Sequence, residues 1–136
     1  MMELTRKGEY AIRAVLFLAR QPQGEVALLG EIAAGAQVPP TFLAKILQGL
    51  VKLGLVRSAR GAGGGFALAR PASAITLREV VEAVEGPIVP NRCLTRGAPC
   101  EAGGACQVHV VWRTVQIKVV EVLDGVTVAD LARQDR

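Results

Sequence analysis

The order of apolar patterns along the first part of this chain constrains its fold more than any other feature. Three stretches carry apolar residues at helical spacing, and they predict helices over residues 1–21, over residues 28–34 and from Pro40 to a C-terminal cap at Gly54. Two short apolar runs follow and flank a glycine-rich segment at residues 60–65, which is typical of a β-hairpin. The sequence therefore predicts a mainly α-helical fold with a small β-hairpin.

Periodic apolar side chains supply the predicted core. Apolar residues make up 51% of the 136 residues, which is enough to build one compact domain. The predicted core positions of the three helices are Ala11, Ile12, Val15, Leu16, Leu18, Leu28, Leu29, Ile32, Ala33, Phe42, Leu43, Ile46, Leu47 and Leu50. The predicted strands cover residues 55–58 and 66–69, and Thr5 is placed to cap the first helix.

Three helices followed by a hairpin are the order of a winged helix-turn-helix domain, in which the hairpin is the wing. Residues 35–39 form the predicted turn of the helix-turn-helix unit, and the third helix would lie in the major groove of DNA. Residues 1–70 hold 9 Lys and Arg against 4 Glu, whereas residues 71–136 hold 7 against 8 Asp and Glu. The basic first half favours binding to a polyanion, and a merely solvated basic face is the alternative.

The candidate DNA contacts lie at the start of the third helix, at the tip of the wing and among nearby basic residues. The N-terminal residues of a recognition helix lie nearest the bases, whereas contacts to phosphates position the protein. The candidates are Pro40, Thr41 and Lys45 on the helix, Arg60 and Gly63 at the tip, and Arg6, Lys7 and Arg57 for phosphates. A dinucleotide-binding loop is excluded because such a loop opens a helix, whereas a second strand follows these glycines.

The second half predicts a helix, a loop and a long helix. Thr76 and Glu79 form a capping box for a fourth helix that ends near Glu85. A long helix is predicted over residues 106–124, with a heptad-like apolar seam, and Thr127 would cap a last short helix. The seam consists of Val108, Val111, Trp112, Val115, Val119 and Val122. We therefore divide the chain into a DNA-binding domain (1–86), a cysteine-bearing loop (87–105) and a dimerisation helix with a short final helix (106–136).

Three cysteines, Cys93, Cys100 and Cys106, lie within 14 residues, and the chain has none elsewhere. An odd number cannot pair completely within one chain, so the cluster indicates ligands or redox chemistry. His109 follows Cys106 by three residues and shares its helix face. The donors suit an iron–sulfur cluster or zinc, and three unliganded thiols are the further alternative. No group is placed to orient Cys106 and His109 as a nucleophile and base, so we predict no enzyme.

The chain shows no sign of a membrane or secretory segment. Its longest uncharged stretch is 13 residues (32–44) and contains two prolines, whereas a spanning helix needs roughly 20 apolar residues. The first ten residues are charged where a signal peptide would be apolar. We therefore expect a cytoplasmic protein without a membrane partner.

Several segments together resemble the IscR-type bacterial regulators of the Rrf-two (Rrf2) family. They are LTRKGEYA (4–11), GLV (54–56), RGAGGGF (60–66) and LREVVEAVEG (77–86), together with the three cysteines and His109. The resemblance implies a homodimeric winged-helix transcription factor whose long C-terminal helices cross and whose partner is an operator in double-stranded DNA. It also implies an iron–sulfur cluster in the cysteine loop, two-iron in preference to four-iron, that controls the affinity for DNA.

The resemblance leaves two candidates for the fourth cluster ligand. His109 matches the histidine of IscR-like members, whereas Glu9 matches the acidic ligand that NsrR-like nitric-oxide sensors take from the partner subunit. We prefer His109. Six residues separate Cys93 from Cys100 where five are usual in the family, and the operator sequence does not carry over. The alternative is a cluster-free winged-helix regulator that senses through free thiols, zinc or a small ligand.

Overall fold

A computed structural model describes residues 4–22, 24–60, 64–89 and 107–133. The helices are α1 (Arg6–Ala19), α2 (Leu29–Ala36), α3 (Pro40–Lys52), α4 (Leu77–Glu85), α5 (Gln107–Asp124) and α6 (Val128–Ala132). The strands are β1 (Val56–Ala59) and β2 (Gly65–Leu68), and a 3₁₀ turn covers Ala72–Ala74. This order confirms the predicted fold class, and the predicted bounds of most elements shift by only one or two residues.

The first two helices begin and end for local reasons. Thr5 caps α1 as predicted, because its hydroxyl oxygen accepts a hydrogen bond of 3.2 Å from the Gly8 amide. The turn before α3 is shorter than predicted, since α2 continues to Ala36 and Gln37 takes the left-handed conformation at φ 57°. Gly35 therefore lies in the helix, where its missing side chain leaves room for the Phe17 ring that a Cβ would overlap.

Helix α3 packs one face on α1 and α2 and leaves the other face exposed. Pro40 opens the helix, and Gly54 follows its C-terminus at φ 79°, both as predicted. The buried residues are Leu43, Ile46, Leu47 and Leu50. The core positions predicted for Phe42 and for Leu28, which precedes α2, are wrong, because 59% and 47% of these residues are exposed. Phe42 lies on the flank of the apolar stripe, at the edge of the buried face.

The wing is an antiparallel hairpin in which Val56 pairs with Leu68 and Ala59 pairs with Gly65. A third segment joins it, because Ala27 and Phe66 exchange two backbone hydrogen bonds of 2.8 and 2.9 Å. The wing is thereby attached to the loop before α2. Gly65 permits this pairing, since a Cβ there would overlap the Ala27 carbonyl.

The end of the chain returns to the core of the first three helices. The Val128 amide donates to the Ile75 carbonyl, and the Leu77 amide donates to the Val126 carbonyl, each at 2.8 Å. Thr127 caps α6 as predicted, and Val128 is buried in the same apolar cluster as α1, α2 and α3. The predicted division into three regions stays a prediction, but residues of the last region complete the core of the first.

Helix α5 confirms the predicted long helix, and its predicted start at Cys106 lies outside the described residues. Within the four described ranges, the helix buries none of its side chains fully. An ion pair of 3.3 Å between Arg78 and Asp124 joins it to α4, and the Gln116 side chain donates to the carbonyl of Ile88, in the segment after α4, at 2.9 Å. In the part of the chain that the structure describes, the valines Val108, Val111 and Val122 of the predicted seam are exposed.

A capping box with an added arginine fixes the start of α4. The Glu79 carboxylate accepts hydrogen bonds from the Thr76 amide and from Arg70, at 3.1 and 2.5 Å. The bond from Arg70, followed by those from Thr76, lowers the pKa of Glu79 below its usual value, although partial burial opposes the shift. A carboxylate whose pKa falls on folding stabilises the fold above its unfolded pKa, and this contribution disappears as the pH falls through the folded pKa.

We expect Glu79→Gln to lower the free energy of unfolding at pH 7 by about 0.5–1 kcal/mol, since a cap and a half-exposed ion pair are both weakened. The deficit should shrink below the ordinary glutamate pKa of 4.5 and vanish once Glu79 is protonated in both states. Urea unfolding at neutral and acidic pH measures it, with Glu121→Gln on α5 as the control. An equal deficit at both pH values would contradict this account.

Candidate nucleic-acid interface and metal-binding residues

The exposed face of α3 carries the DNA contacts predicted for the recognition helix. Pro40, Thr41 and Lys45 are all exposed, because the opposite side of the helix is buried against α1 and α2. Pro40 and Thr41 belong to the first turn of the helix, and Lys45 lies one turn further on. An exposed helix of this kind, with its N-terminal residues free, is the element that a helix-turn-helix unit inserts into the major groove.

Lys7 and Lys45 come together on this surface. Both line one small depression between α1, α3 and α4, which the buried residues Ile46 and Leu50 also line. Two lysines that line one depression raise the local positive potential, which favours the binding of a phosphate beside them. Arg6 is exposed in the first turn of α1, next to Lys7. The start of α1 and the exposed face of α3 thus form one basic surface.

Two other predicted contacts lie apart from this surface. Arg60 is exposed directly after β1, at the base of the wing tip, whereas Gly63 lies outside the described residues. The Arg57 guanidinium donates to the Gly24 carbonyl at 3.0 Å. Arg57 therefore lies beside the C-terminal end of α1, at the opposite end of that helix from Lys7. Its predicted phosphate contact would be made at a second edge of the domain.

An aromatic pair beside α3 was missed by the sequence reasoning. The rings of Tyr10 and Phe42 pack at a tilt of 53° with their centres 6.2 Å apart. The Arg13 guanidinium lies 5.7 Å from the centre of the Tyr10 ring and also donates to the Gln37 carbonyl at 3.3 Å. The available signal was the helical spacing, which sets Phe42 at the flank of the buried stripe.

The predicted cluster ligands divide between described and undescribed parts of the chain. Cys93, Cys100 and Cys106 lie outside the described residues, between α4 and α5. Glu9 is exposed in the first turn of α1, and His109 is half-buried in the first turn of α5. Within the four described ranges, no three His, Cys, Asp or Glu side chains lie close enough to hold a metal ion.

The residues that flank the cysteine segment are tied to two helices. The Glu85 carboxylate accepts hydrogen bonds from the backbone amide and the hydroxyl of Thr5, at 2.8 and 2.6 Å. Ile88 is buried, and its carbonyl accepts the bond from Gln116 of α5. The chain thus leaves α4 through a stretch that is attached both to the start of α1 and to the middle of α5.

A family model matches residues 4–134 of this chain, and that model describes the Rrf2 family of iron-dependent transcriptional regulators. The chain belongs to the Rrf2 family. The HTH-type transcriptional regulator IscR of Escherichia coli is 34% identical over 130 residues, which are 96% of this chain and 80% of IscR. A putative HTH-type regulator of Mycobacterium tuberculosis, Rv1287, is 37% identical over 131 residues, covering 96% of this chain and 81% of that protein.

Solved structures of other regulators have the same fold as this Rrf2 protein. CymR of Bacillus subtilis, described as its global cysteine regulator, matches with a TM-score of 0.80 and 30% identity over 99% of this chain and 100% of that one. The IscR of T. potens matches with a TM-score of 0.77 and 27% identity over 99% of this chain and 93% of that one.

These comparisons establish the general role of the chain. It is a DNA-binding winged-helix transcriptional regulator of the Rrf2 family and not an enzyme, since the relatives are named as transcriptional regulators. Within the described ranges, no helix of this Rrf2 protein is both long and apolar enough to cross a membrane.

Proposed function

We propose that this protein is a cytoplasmic homodimeric regulator whose affinity for its operator is controlled by an iron–sulfur cluster. The main support is the spacing of Cys93, Cys100 and Cys106 between α4 and α5, in a chain that matches a family described as iron-dependent. The signal would be redox state, nitric oxide or the supply of clusters, each of which acts on such a centre.

The proposed dimer forms through α5. The exposed valines Val108, Val111 and Val122 repeat along one side of this helix, and the described chain leaves them uncovered. Packing this side against the same side of a second copy removes apolar surface from water and gives a two-fold axis. Such an axis sets the two recognition helices at a fixed separation, and adjacent half-sites on DNA lie roughly 34–36 Å apart.

The donor chemistry of the chain fits an iron–sulfur cluster. Cys93, Cys100 and Cys106 would supply three thiolates, with His109 or Glu9 of the partner as the fourth ligand, and a two-iron cluster is preferred to a four-iron one. When bound, the cluster supplies a centre whose ligation or charge changes on oxidation or on reaction with nitric oxide.

The chain's own contacts provide the coupling to DNA. Thr5 donates two hydrogen bonds to Glu85, the last residue of α4, and therefore joins the helix that precedes the cysteine-bearing loop to the helix that carries Arg6 and Lys7. Gln116 joins this loop to α5, the proposed dimer helix, through the Ile88 carbonyl. Loss or oxidation of the cluster at residues 90–106 would therefore change both the basic surface and the spacing of the two copies. If the binding free energies of the two states differ by 1–3 kcal/mol, the affinity for DNA changes by about 5–150-fold.

The experiment that tests cluster binding compares four proteins, together with one control variant, purified without oxygen. The wild type should be coloured and contain iron and acid-labile sulfide, and Cys100→Ala should lose both, because three-thiolate ligation is broken. Colourless wild-type protein with one zinc ion per chain would contradict the proposal and favour a structural metal.

The other two proteins identify the fourth ligand by visible spectroscopy. We expect His109→Ala to change the spectrum of the cluster and Glu9→Ala to leave it unchanged, with the exposed Glu25→Ala as the control for loss of a carboxylate. The reverse pattern would assign the role to Glu9. An unchanged spectrum in both variants would contradict both assignments.

A second candidate is a cluster-free regulator that senses through its thiols. It is favoured by the likeness to Staphylococcus aureus CymR, which has been solved in an oxidised form and matches with a TM-score of 0.75 and 26% identity over 99% of each chain. In that case protein without iron would bind the operator, and peroxide would change this binding only while Cys93, Cys100 and Cys106 are present.

A further inference from the structure

Phe42 is an aromatic side chain exposed on the element that approaches the bases. It is the third residue of α3, and 59% of it is exposed, although the apolar residues Leu43 and Ile46 beside it are buried. A single exposed apolar residue is ordinary on a protein surface. This one lies in the first turn of the recognition helix, which is the part of such a helix nearest the bases.

The Phe42 ring is held in place by neighbours on α1. It packs against the Tyr10 ring at 6.2 Å, and Tyr10 in turn lies beneath the guanidinium of Arg13. Arg13 is fixed by its hydrogen bond to the Gln37 carbonyl, in the turn that precedes α3. Because these contacts exist within the described chain, the ring loses little conformational freedom when a ligand covers its open side.

The charges around the ring match a nucleic-acid duplex. Lys45 follows Phe42 by one helical turn on the same side of α3, and Lys7 lies in the same depression as Lys45. Phosphates beside these lysines would leave the ring facing the base edges within the groove. A phenyl ring cannot donate or accept an ordinary hydrogen bond, so it distinguishes bases through apolar contact.

We propose that Phe42 recognises a thymine in each half of the operator through the C5-methyl group of that base. In the major groove thymine presents this apolar methyl beside its O4 acceptor, and phenylalanine is among the side chains that contact it. The inference rests on the proposed binding of α3 in the major groove. Burying one methyl contributes about 4-fold in affinity, so a symmetric dimer gains about 10–20-fold from two such contacts.

The test uses an operator that the wild-type protein selects from a random-sequence duplex library. Each thymine of the operator is replaced in turn by deoxyuridine, symmetrically in both halves, which removes only the methyl group. We expect the wild type to lose about 10–20-fold in affinity at one position of each half-site. Phe42→Ala should bind the thymine and deoxyuridine duplexes equally, and Phe42→Leu should keep part of the discrimination.

Leu53→Ala is the matched control, because Leu53 is an apolar residue of similar exposure (57%) at the far end of α3 and should discriminate as the wild type does. Circular dichroism confirms that the variants fold. Wild-type binding without discrimination at any thymine, or discrimination that survives in Phe42→Ala, overturns the role of Phe42 and leaves DNA-binding regulation intact. Failure of the wild type to select any sequence would overturn both.

Discussion

Operator binding is expected to weaken by about 10³- to 10⁵-fold when the salt concentration rises from 50 to 200 mM, as for roughly 6–10 phosphate contacts per dimer. The physical reason is the release of counterions from DNA when lysines and arginines neutralise its phosphates. The basic surface formed by Arg6, Lys7 and Lys45 supplies part of these contacts, and Arg57 and Arg60 would add others. Fluorescence anisotropy with a labelled operator over a range of salt concentrations measures the slope of the logarithm of the affinity against the logarithm of the salt concentration.

Variants of single lysines show which residues contribute to this slope. Lys45→Gln and Lys7→Gln should each reduce it by about 2 per dimer, because each removes one phosphate contact per chain. Lys118→Gln is the control, since this lysine is exposed on α5 and pairs with Glu121 at 3.6 Å, away from α3. A binding constant that hardly changes with salt, or a slope that falls equally in Lys118→Gln, would contradict the assigned surface.

Val111→Glu is expected to convert the dimer to monomers at concentrations where the wild type is dimeric. The residue is 60% exposed in one chain and belongs to the seam that we assign to the dimer. A symmetric dimer would bury two unpaired carboxylates at its axis, and the dissociation constant should therefore rise by at least about 100-fold. Light scattering measures the mass, and operator affinity should fall with it because a monomer contacts only one half-site.

The control for this change is Leu53→Glu, which places the same charge on another exposed apolar residue, away from α5. It should stay dimeric. Val111 is not part of the buried core of the described chain, so Val111→Glu should keep the helix content of the wild type. A dimeric, folded Val111→Glu protein would show that the seam is not the dimer contact.

Those parts of the fold that depend on short-range chemistry were predictable from the sequence. Thr5, Thr76 and Thr127 each cap a helix as predicted. The hydroxyl of an N-cap threonine accepts a hydrogen bond from the backbone amide three residues later, and this bond does not depend on distant parts of the chain. Gly54 ends α3 for an equally local reason, since it adopts a positive φ. The order of these signals was sufficient to predict the winged helix-turn-helix fold.

Features that depend on packing between distant segments were not predictable. Phe42 has the apolar character of a core residue, yet only the position of α1 decides which flank of α3 is covered. The bond between Arg57 and the Gly24 carbonyl, and the burial of Val128 beneath α1, join segments that no local pattern relates.

The candidate site, too, could be predicted only in part from the sequence. The basic residues and the three cysteines could be named from their types and spacing, but the depression that Lys7 shares with Lys45 required the packing of α1 on α3. The links from Thr5 to Glu85 and from Gln116 to Ile88 likewise join residues far apart in sequence. The proposed coupling depends on these two links, and no sequence motif predicts them.

The most direct test of cluster control is the operator affinity of one oxygen-free preparation, measured before and after removal of its iron and sulfide. We predict that the two dissociation constants differ by about 5–150-fold, and that Cys100→Ala behaves as the cluster-free protein does. Wild-type protein that carries iron and sulfide but binds the operator equally well after losing both would contradict the account.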